Sequence, residues 1–152
     1  MARRTKDEAE QTRNAILDAA ERVFYRHGVA RTSLQQLAQA AGVTRGAVYW
    51  HFRDKVEILD AMAQRVFLPQ EEILEQLAAR DSDTPLADLS RACIDSLRRI
   101  GKDKRRQTII TILNQRCEYT DDMAPIMQRR HACKDRMLDR ITRLFARAQK
   151  LN

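Results

Sequence analysis

The residues with the clearest chemical purpose stand close together: Arg45, Gly46, Tyr49 and Trp50, in the run GVTRGAVYWHF. At about 100° per residue they share one arc of a helix, while Ala47, Val48 and Phe52 take the other. A guanidinium, a missing side chain and two amphipathic rings make an odd solvent face, but they suit the major groove of DNA. Arg45, near the helix start, carries the fork that matches guanine O6 and N7, and Tyr49 can meet a thymine methyl or a phosphate. Glycine inside a helix costs about 1 kcal/mol against alanine, so Gly46 needs a reason, and close approach of the backbone to DNA supplies one. His51 and Lys55 stand where the chain leaves the groove and are candidate phosphate ligands. Thr32, Ser33 and Thr44, at the starts of two short helices, complete the candidate DNA-binding set.

These side chains need a rigid carrier, and the flanking residues supply one. Ser33 or Thr32 can cap a helix, with Gln35 or Gln36 three positions on, as a capping box requires. Leu34, Leu37, Ala38 and Ala41 then recur at helical spacing. Gly42 sits where a helix stops in a left-handed turn. Thr44 is a second cap, flanked by Val43 and Val48 as a hydrophobic staple would be. Helix, glycine turn and helix make a helix-turn-helix. Before it, a helix is expected over Glu10–His27, burying Ile16, Ala20, Val23, Phe24 and His27 and ending at Gly28. Thr12 and Arg13, near its start, are further phosphate candidates. Residues 1–8 read as a loose arm whose Arg3, Arg4 and Lys6 could follow a minor groove, or simply as a solvated terminus.

The segment TSLQQLAQAAGVTRGAVYWHFRDK resembles the DNA-binding domain of the TetR family of bacterial repressors. The preceding RRTKDEAEQTRNAILDAAERVF, and RCEYTDDM later, look like the branch that represses multidrug-efflux operons. The likeness is strong from residue 3 to about residue 62; beyond that it rests on RCEYTDDM and the helix pattern. It implies a ligand-responsive repressor that binds a palindromic operator in double-stranded DNA as a homodimer. It also implies a site for small hydrophobic or aromatic drugs among the later helices. In that branch the last two helices form a four-helix bundle with the partner subunit. The sequence stops at Asn152 ahead of them and reads as a C-terminally truncated form, which leaves dimerisation open. The rival reading is a truncated interaction protein that folds but binds DNA weakly, or pairs with a full-length relative.

Composition agrees with an all-α protein. In 152 residues there are only 4 Gly and 3 Pro, and 5% aromatics; Ala, Leu, Arg, Gln and Glu favour helix. Net charge is +7, which favours a polyanionic partner, though an anionic membrane surface would fit as well. Up to Lys55 there are ten basic and six acidic residues, so the excess is slightly concentrated in the first third. Cys93, Cys117 and Cys133 are odd in number and lack CxxC spacing, as expected of reduced thiols in a cytoplasm. No apolar run has the length of a membrane span, and no signal peptide is visible. A cytoplasmic protein that does not enter membranes is expected.

The expected organisation is an N-terminal three-helix helix-turn-helix domain (1–55) joined by a long helix to a partial helical ligand-binding and dimerisation domain (56–152). Asp54 with Glu57 is a capping box for that long helix. Pro69 should interrupt or kink it, since it lacks an N–H and clashes with the preceding turn. A loop is expected at DSDTP, and then a helix from Pro85 with Leu86, Leu89, Cys93, Leu97 and Ile100 inward. TIITIL is rich in β-branched residues and locally ambiguous, but it is expected to be helical because no partner strand exists. After a turn at 119–122, a last helix should bury Ile126, Arg130, Cys133, Met137, Ile141, Leu144 and Ala148. Cys93, Ser96, Ile110, Asn114, Cys117, Cys133 and Met137 are the candidate ligand-binding set. They are soft or small residues with a few polar groups, as a pocket would have. An ordinary core containing Cys and Met has the same pattern.

Catalysis is not expected. His27, His51 and His131 show no HExxH or other metal spacing, and there is no GxSxG or glycine-rich phosphate loop. Asp121 and Asp122 read as a helix cap. No cofactor is implied.

Overall fold

Residues 2–118 and 124–151 are described by a computed structural model, with side chains other than those of 2–5, 67–69, 125 and 126. Among the described residues the chain forms seven α-helices and no strand: α1 (Ala2–His27), α2 (Leu34–Ala41), α3 (Arg45–His51), α4 (Lys55–Ala79), α5 (Pro85–Lys102), α6 (Lys104–Gln115) and α7 (Ala124–Leu151). The fold is all-α, as expected. TIITIL lies in α6, where Ile109, Ile112 and Leu113 are buried; burial on a helical face outweighs the weaker β preference of its residues.

Local chemistry fixes the helix-turn-helix. Ser33, not Thr32, caps α2: its hydroxyl accepts from Gln36 N–H at 3.2 Å, and Gln36 Oε1 accepts from Ser33 N–H at 2.8 Å. Gly42 ends α2 at φ +69, a left-handed conformation that other residues enter at a cost. The Val43 N–H then reaches back to Ala38 O at 3.0 Å, closing the turn. Thr44 caps α3 by accepting from Ala47 N–H at 3.1 Å. Asp54 Oδ1 accepts from Glu57 N–H at 2.8 Å and starts α4.

The chain divides into two compact units, Met1–Gln64 with Thr108–Asp122, and Arg65–Gln107 with Met123–Asn152. In the first, α1 packs against α2 and α3, and α2 against α3. Ile16, Leu17, Ala20, Phe24, Leu37, Val48, Phe52, Ile58, Leu59 and Met62 are buried. Helix α6 adds Ile109, Ile112 and Leu113, and Cys117 just beyond it is buried as well. The Arg116 carbonyl accepts from Val29 N–H at 2.9 Å, so the turn after α1 is held by the end of α6. Compactness thus divides α4 after Gln64.

In the second unit, α5 packs against α7, and Glu71 and Glu75 of α4 pair with Arg136 and Arg140 of α7, each at 3.2 Å. Cys133 Sγ donates to Glu71 Oε1. Burial pushes the Cys133 thiol up to about 11, and the adjacent carboxylate adds to the effect. The same hydrogen bond holds Glu71 below its ordinary value, against the opposing effect of burial and with help from Arg136 and Arg140.

Four expectations are corrected. Helix α1 begins at Ala2 rather than near Glu10. The segment has no Gly or Pro, and Thr12 returns its hydroxyl to Glu8 O at 2.9 Å inside the helix. Helix α4 continues through position 69 as one helix, so Pro69 does not interrupt it. His27 is exposed at the end of α1 rather than part of its buried stripe. On α5 the inward line is Pro85, Leu89 and the half-buried Ala92, Ser96 and Ile100, while Leu86, Cys93 and Leu97 are exposed. The sequence has two neighbouring arcs of similar hydropathy there, and the one with small Ala and Ser side chains lets another helix approach closely. The expected turn at 119–122 and the side chain of Ile126 lie outside the described residues.

Candidate nucleic-acid interface

Helix α3 separates its two arcs as its sequence requires. Val48 is fully buried and Phe52, which ends the helix, is 2% exposed. Arg45 and Gly46 are exposed, with Tyr49 at 46% and Trp50 at 74%. The Arg45 guanidinium lies 5.2 Å from the centre of the Tyr49 ring. A Cβ added at Gly46 would meet only Thr44 Oγ1, at 3.8 Å, so nothing within the fold demands a glycine there. The His51 ring stands edge-on to Trp50, centroids 4.6 Å apart. Burial, and then the nearby Arg13 charge, push its pKa down. Arg13 itself lies over the Phe52 ring at 5.2 Å.

Ser33 and Thr44 are exposed at their caps. Thr32 is not available in the same way: it is 2% exposed, and its hydroxyl donates to Gly28 O at 2.7 Å. The turn after α1 leaves a carbonyl there, and Thr32 satisfies it, so this candidate is withdrawn from the surface. Lys55 is half-buried and its Nζ donates to Val29 O at 2.9 Å and Ala30 O at 3.2 Å. It ties α4 to that turn instead of extending into solvent. Arg3 and Arg4 lie in α1, but their side chains are outside those described. Two cations that the sequence reading passed over stand beside the face. Arg31 and Arg53 are exposed and, with Ser33, Tyr49 and Lys55, line an open depression of about 540 Å³. Their signal in sequence is their place: one lies two residues before the first cap and the other beside Asp54.

The chain's likeness to known proteins has the same division. Residues 16–62 match the profile described as bacterial regulatory proteins, tetR family, and residues 84–152 that of the MAATS-type transcriptional repressor C-terminal region. The structure is similar to the crystal structure of NalD, described as the secondary repressor of the MexAB-OprM multidrug efflux pump in Pseudomonas aeruginosa. TM-score is 0.84 at 40% identity, covering 94% of this chain and 71% of that one. The chain belongs to the TetR family. The HTH-type transcriptional repressor BepR of Brucella suis is 48% identical over 127 residues, which is 84% of this chain and 61% of BepR. A SmeT–triclosan complex matches with TM-score 0.82 and 40% identity, over 93% of this chain and 67% of that one. SmeT is described as the repressor of the Stenotrophomonas maltophilia multidrug efflux pump SmeDEF. The chain spans about three-fifths of the length of the curated relatives it matches.

The seven candidate ligand residues of this TetR-family chain are not brought together within one unit. Ile110, Asn114 and Cys117 belong to the first; Cys93, Ser96, Cys133 and Met137 to the second. Cys93 and Asn114 are exposed and Met137 is 37% exposed, contrary to an inward pocket lining. Ser96 accepts from Gln70 Nε2 at 3.0 Å, and Cys133 is engaged with Glu71. Among the described residues no group of His, Cys, Asp and Glu is placed to hold a metal ion, and no helix is long and apolar enough to cross a membrane.

Proposed function

We propose that this chain carries the DNA-reading head and part of the regulatory domain of a ligand-responsive transcriptional repressor, acting in the cytoplasm on a multidrug efflux operon. The observation that carries the reading is the outward arc of α3, Arg45, Gly46, Tyr49 and Trp50, on a helix whose other arc is buried. Residues 1–55 form the head and 56–152 the helical regulatory part. Arg45 reads a base edge in the major groove, Gly46 permits close approach, and Tyr49 and Trp50 make apolar or phosphate contacts. Ser33, Thr44 and His51 face the backbone, joined by Arg31 and Arg53. Lys55 supports the loop that presents them.

Two heads on a palindrome multiply the few contacts that one head makes. Large apolar side chains exposed on α5 and α7, among them Leu97 at 69% and Phe145 at 50%, support burial against a second copy. The drug-related descriptions of NalD and SmeT support a hydrophobic or aromatic ligand. Of the expected ligand set, Ser96 and Cys133 are half-buried in the second unit, and they are the positions we assign to ligand contact. Such a ligand releases DNA only by as much as it prefers the state that does not bind operator.

The test is a footprint on the DNA upstream of the gene and of any neighbouring efflux operon. Protection of a palindrome is expected, weakened by a chlorinated phenolic ligand such as triclosan and erased by Arg45→Ala without loss of helical signal. A folded chain that protects no palindrome in those regions would remove the reading.

A further inference from the structure

The nine residues 98–106 contain six cations and one carboxylate, a net +5 in a chain of net +7. The head up to Lys55 carries a net +4 spread over far more residues. The densest positive charge therefore lies outside the reading head, where α5 meets α6.

The junction is a single residue, Asp103, and it is firmly built. Its N–H donates to Arg99 O at 3.0 Å, and Oδ1 accepts from the N–H groups of Arg105 and Arg106 at 3.0 and 3.2 Å. Gln107 Nε2 satisfies the carbonyls of Ile100 and Gly101 at 2.9 and 3.0 Å. Arg106 pairs with Asp103 at 3.2 Å and its side chain is only 19% exposed. Arg99, Lys102, Lys104 and Arg105 are exposed around an open depression of about 600 Å³. Lys104, Arg105 and Arg106 form the first turn of α6, the positive end of the helix, where folding by itself favours acidic residues. The helix dipole by itself opposes so many cations at this end. A polyanion lying across the turn gives a reason for them.

We propose that the α5–α6 turn is a second phosphate-binding surface that takes the backbone of duplex DNA without reading its sequence, separate from the α3 face. The proposal rests on the reading of the chain as a DNA-binding protein. Guanidinium groups match phosphate oxygens in pairs. The depression is shallow and open, so it fits an extended backbone better than an enclosed small anion. A sequence-blind site of this kind raises residence on DNA around the operator.

The experiment uses the full chain and a non-operator duplex, with affinity followed across a salt series. In the combined variant Arg99→Gln, Lys102→Gln, Lys104→Gln and Arg105→Gln, the slope of log affinity against log salt should fall by about 3.6, since each of the four neutralised phosphates contributes about 0.9. Affinity at low salt should fall at least tenfold, on the order expected for several lost phosphate contacts. The operator footprint should keep its position. If that variant loses helical signal, Lys102→Gln with Lys104→Gln replaces it, with an expected slope loss of about 2. Arg45→Ala should keep the patch-dependent slope while losing the footprint. An unchanged slope in a folded patch variant overturns the proposal but leaves operator reading intact. Patch-dependent binding to phosphatidylserine vesicles, with none to duplex DNA, also overturns it and assigns the turn to a membrane surface. A wild-type chain that binds no DNA at all sinks the underlying reading as well.

Discussion

The Arg45 guanidinium donates a hydrogen bond to the Tyr49 hydroxyl at 3.0 Å and lies 5.2 Å from the centre of that ring. The two residues are one helical turn apart, so α3 itself brings them together. A guanidinium held over a ring loses less freedom when it docks on a base than one that swings freely. Tyr49→Phe keeps the stacking and removes the hydrogen bond, so it should lower operator affinity by about two- to fivefold, the scale of one hydrogen bond worth ~0.5–1 kcal/mol net. The decisive measurement is a double-mutant cycle by gel shift. Arg45→Ala should cost less in the Tyr49→Phe background than alone. Strictly additive losses would mean that the two residues act separately.

Gly46 offers a cleaner separation of fold from function. Space for a methyl group exists at this exposed position, with Thr44 Oγ1 at 3.8 Å from the added carbon, and alanine is the better helix former by about 1 kcal/mol. Gly46→Ala should therefore raise the melting temperature slightly and weaken operator binding, because the added methyl stands between backbone and groove. Affinity unchanged by the substitution would show that α3 does not approach DNA along this edge.

The head was the most legible part of the chain because each of its signals is local. Ser33, Gly42, Thr44 and Asp54 act through bonds to residues within a few positions, and their chemistry does not depend on distant packing. The failures lie where two answers were locally equivalent. Thr32 and Ser33 are both capping residues, and only the fold shows that Gly28 O claims the Thr32 hydroxyl at 2.7 Å. Lys55 looks like a phosphate ligand until the turn after α1 places two carbonyls within its reach. On α5, two adjacent arcs have similar hydropathy, and the partner helix decides between Leu97 and Ser96. The ligand set was the least legible because it was assembled across α5, α6 and α7, whose contacts no local pattern encodes. Sequence distance also hid the return of α6 to the first unit through Arg116 and Val29.

The thiols should react in a fixed order. Cys93 is exposed, Cys117 is buried, and Cys133 is half-buried with its proton directed at Glu71. Because the thiolate is the nucleophile, a pKa pushed up to about 11 suppresses reaction at Cys133 near neutral pH. Peptide mapping after brief alkylation should find label on Cys93 well before Cys133. Glu71→Gln removes the opposing carboxylate charge and should speed labelling of Cys133. Equal rates at the two positions in the native chain would rule out the Cys133–Glu71 hydrogen bond.

His51 gives the head a pH response whose sign follows from its surroundings. Burial and the Arg13 charge both disfavour the imidazolium, so the native pKa lies below the ordinary value of 6.5. Between the native and unfolded values the unfolded chain binds more protons, and stability rises with pH there. The contribution is complete above 6.5 and is lost as pH falls through the native value. Urea midpoints measured from pH about 8 to about 5 should fall through this window, and His51→Gln should flatten that part of the profile. Arg13→Gln should raise the His51 pKa and narrow the window. DNA acts in the opposite direction, because a phosphate near the ring favours its charged form. If His51 touches the backbone, its NMR titration should move up when operator DNA is added, and affinity should increase as pH falls. A titration that DNA leaves in place would remove His51 from the interface while leaving its effect on folding intact.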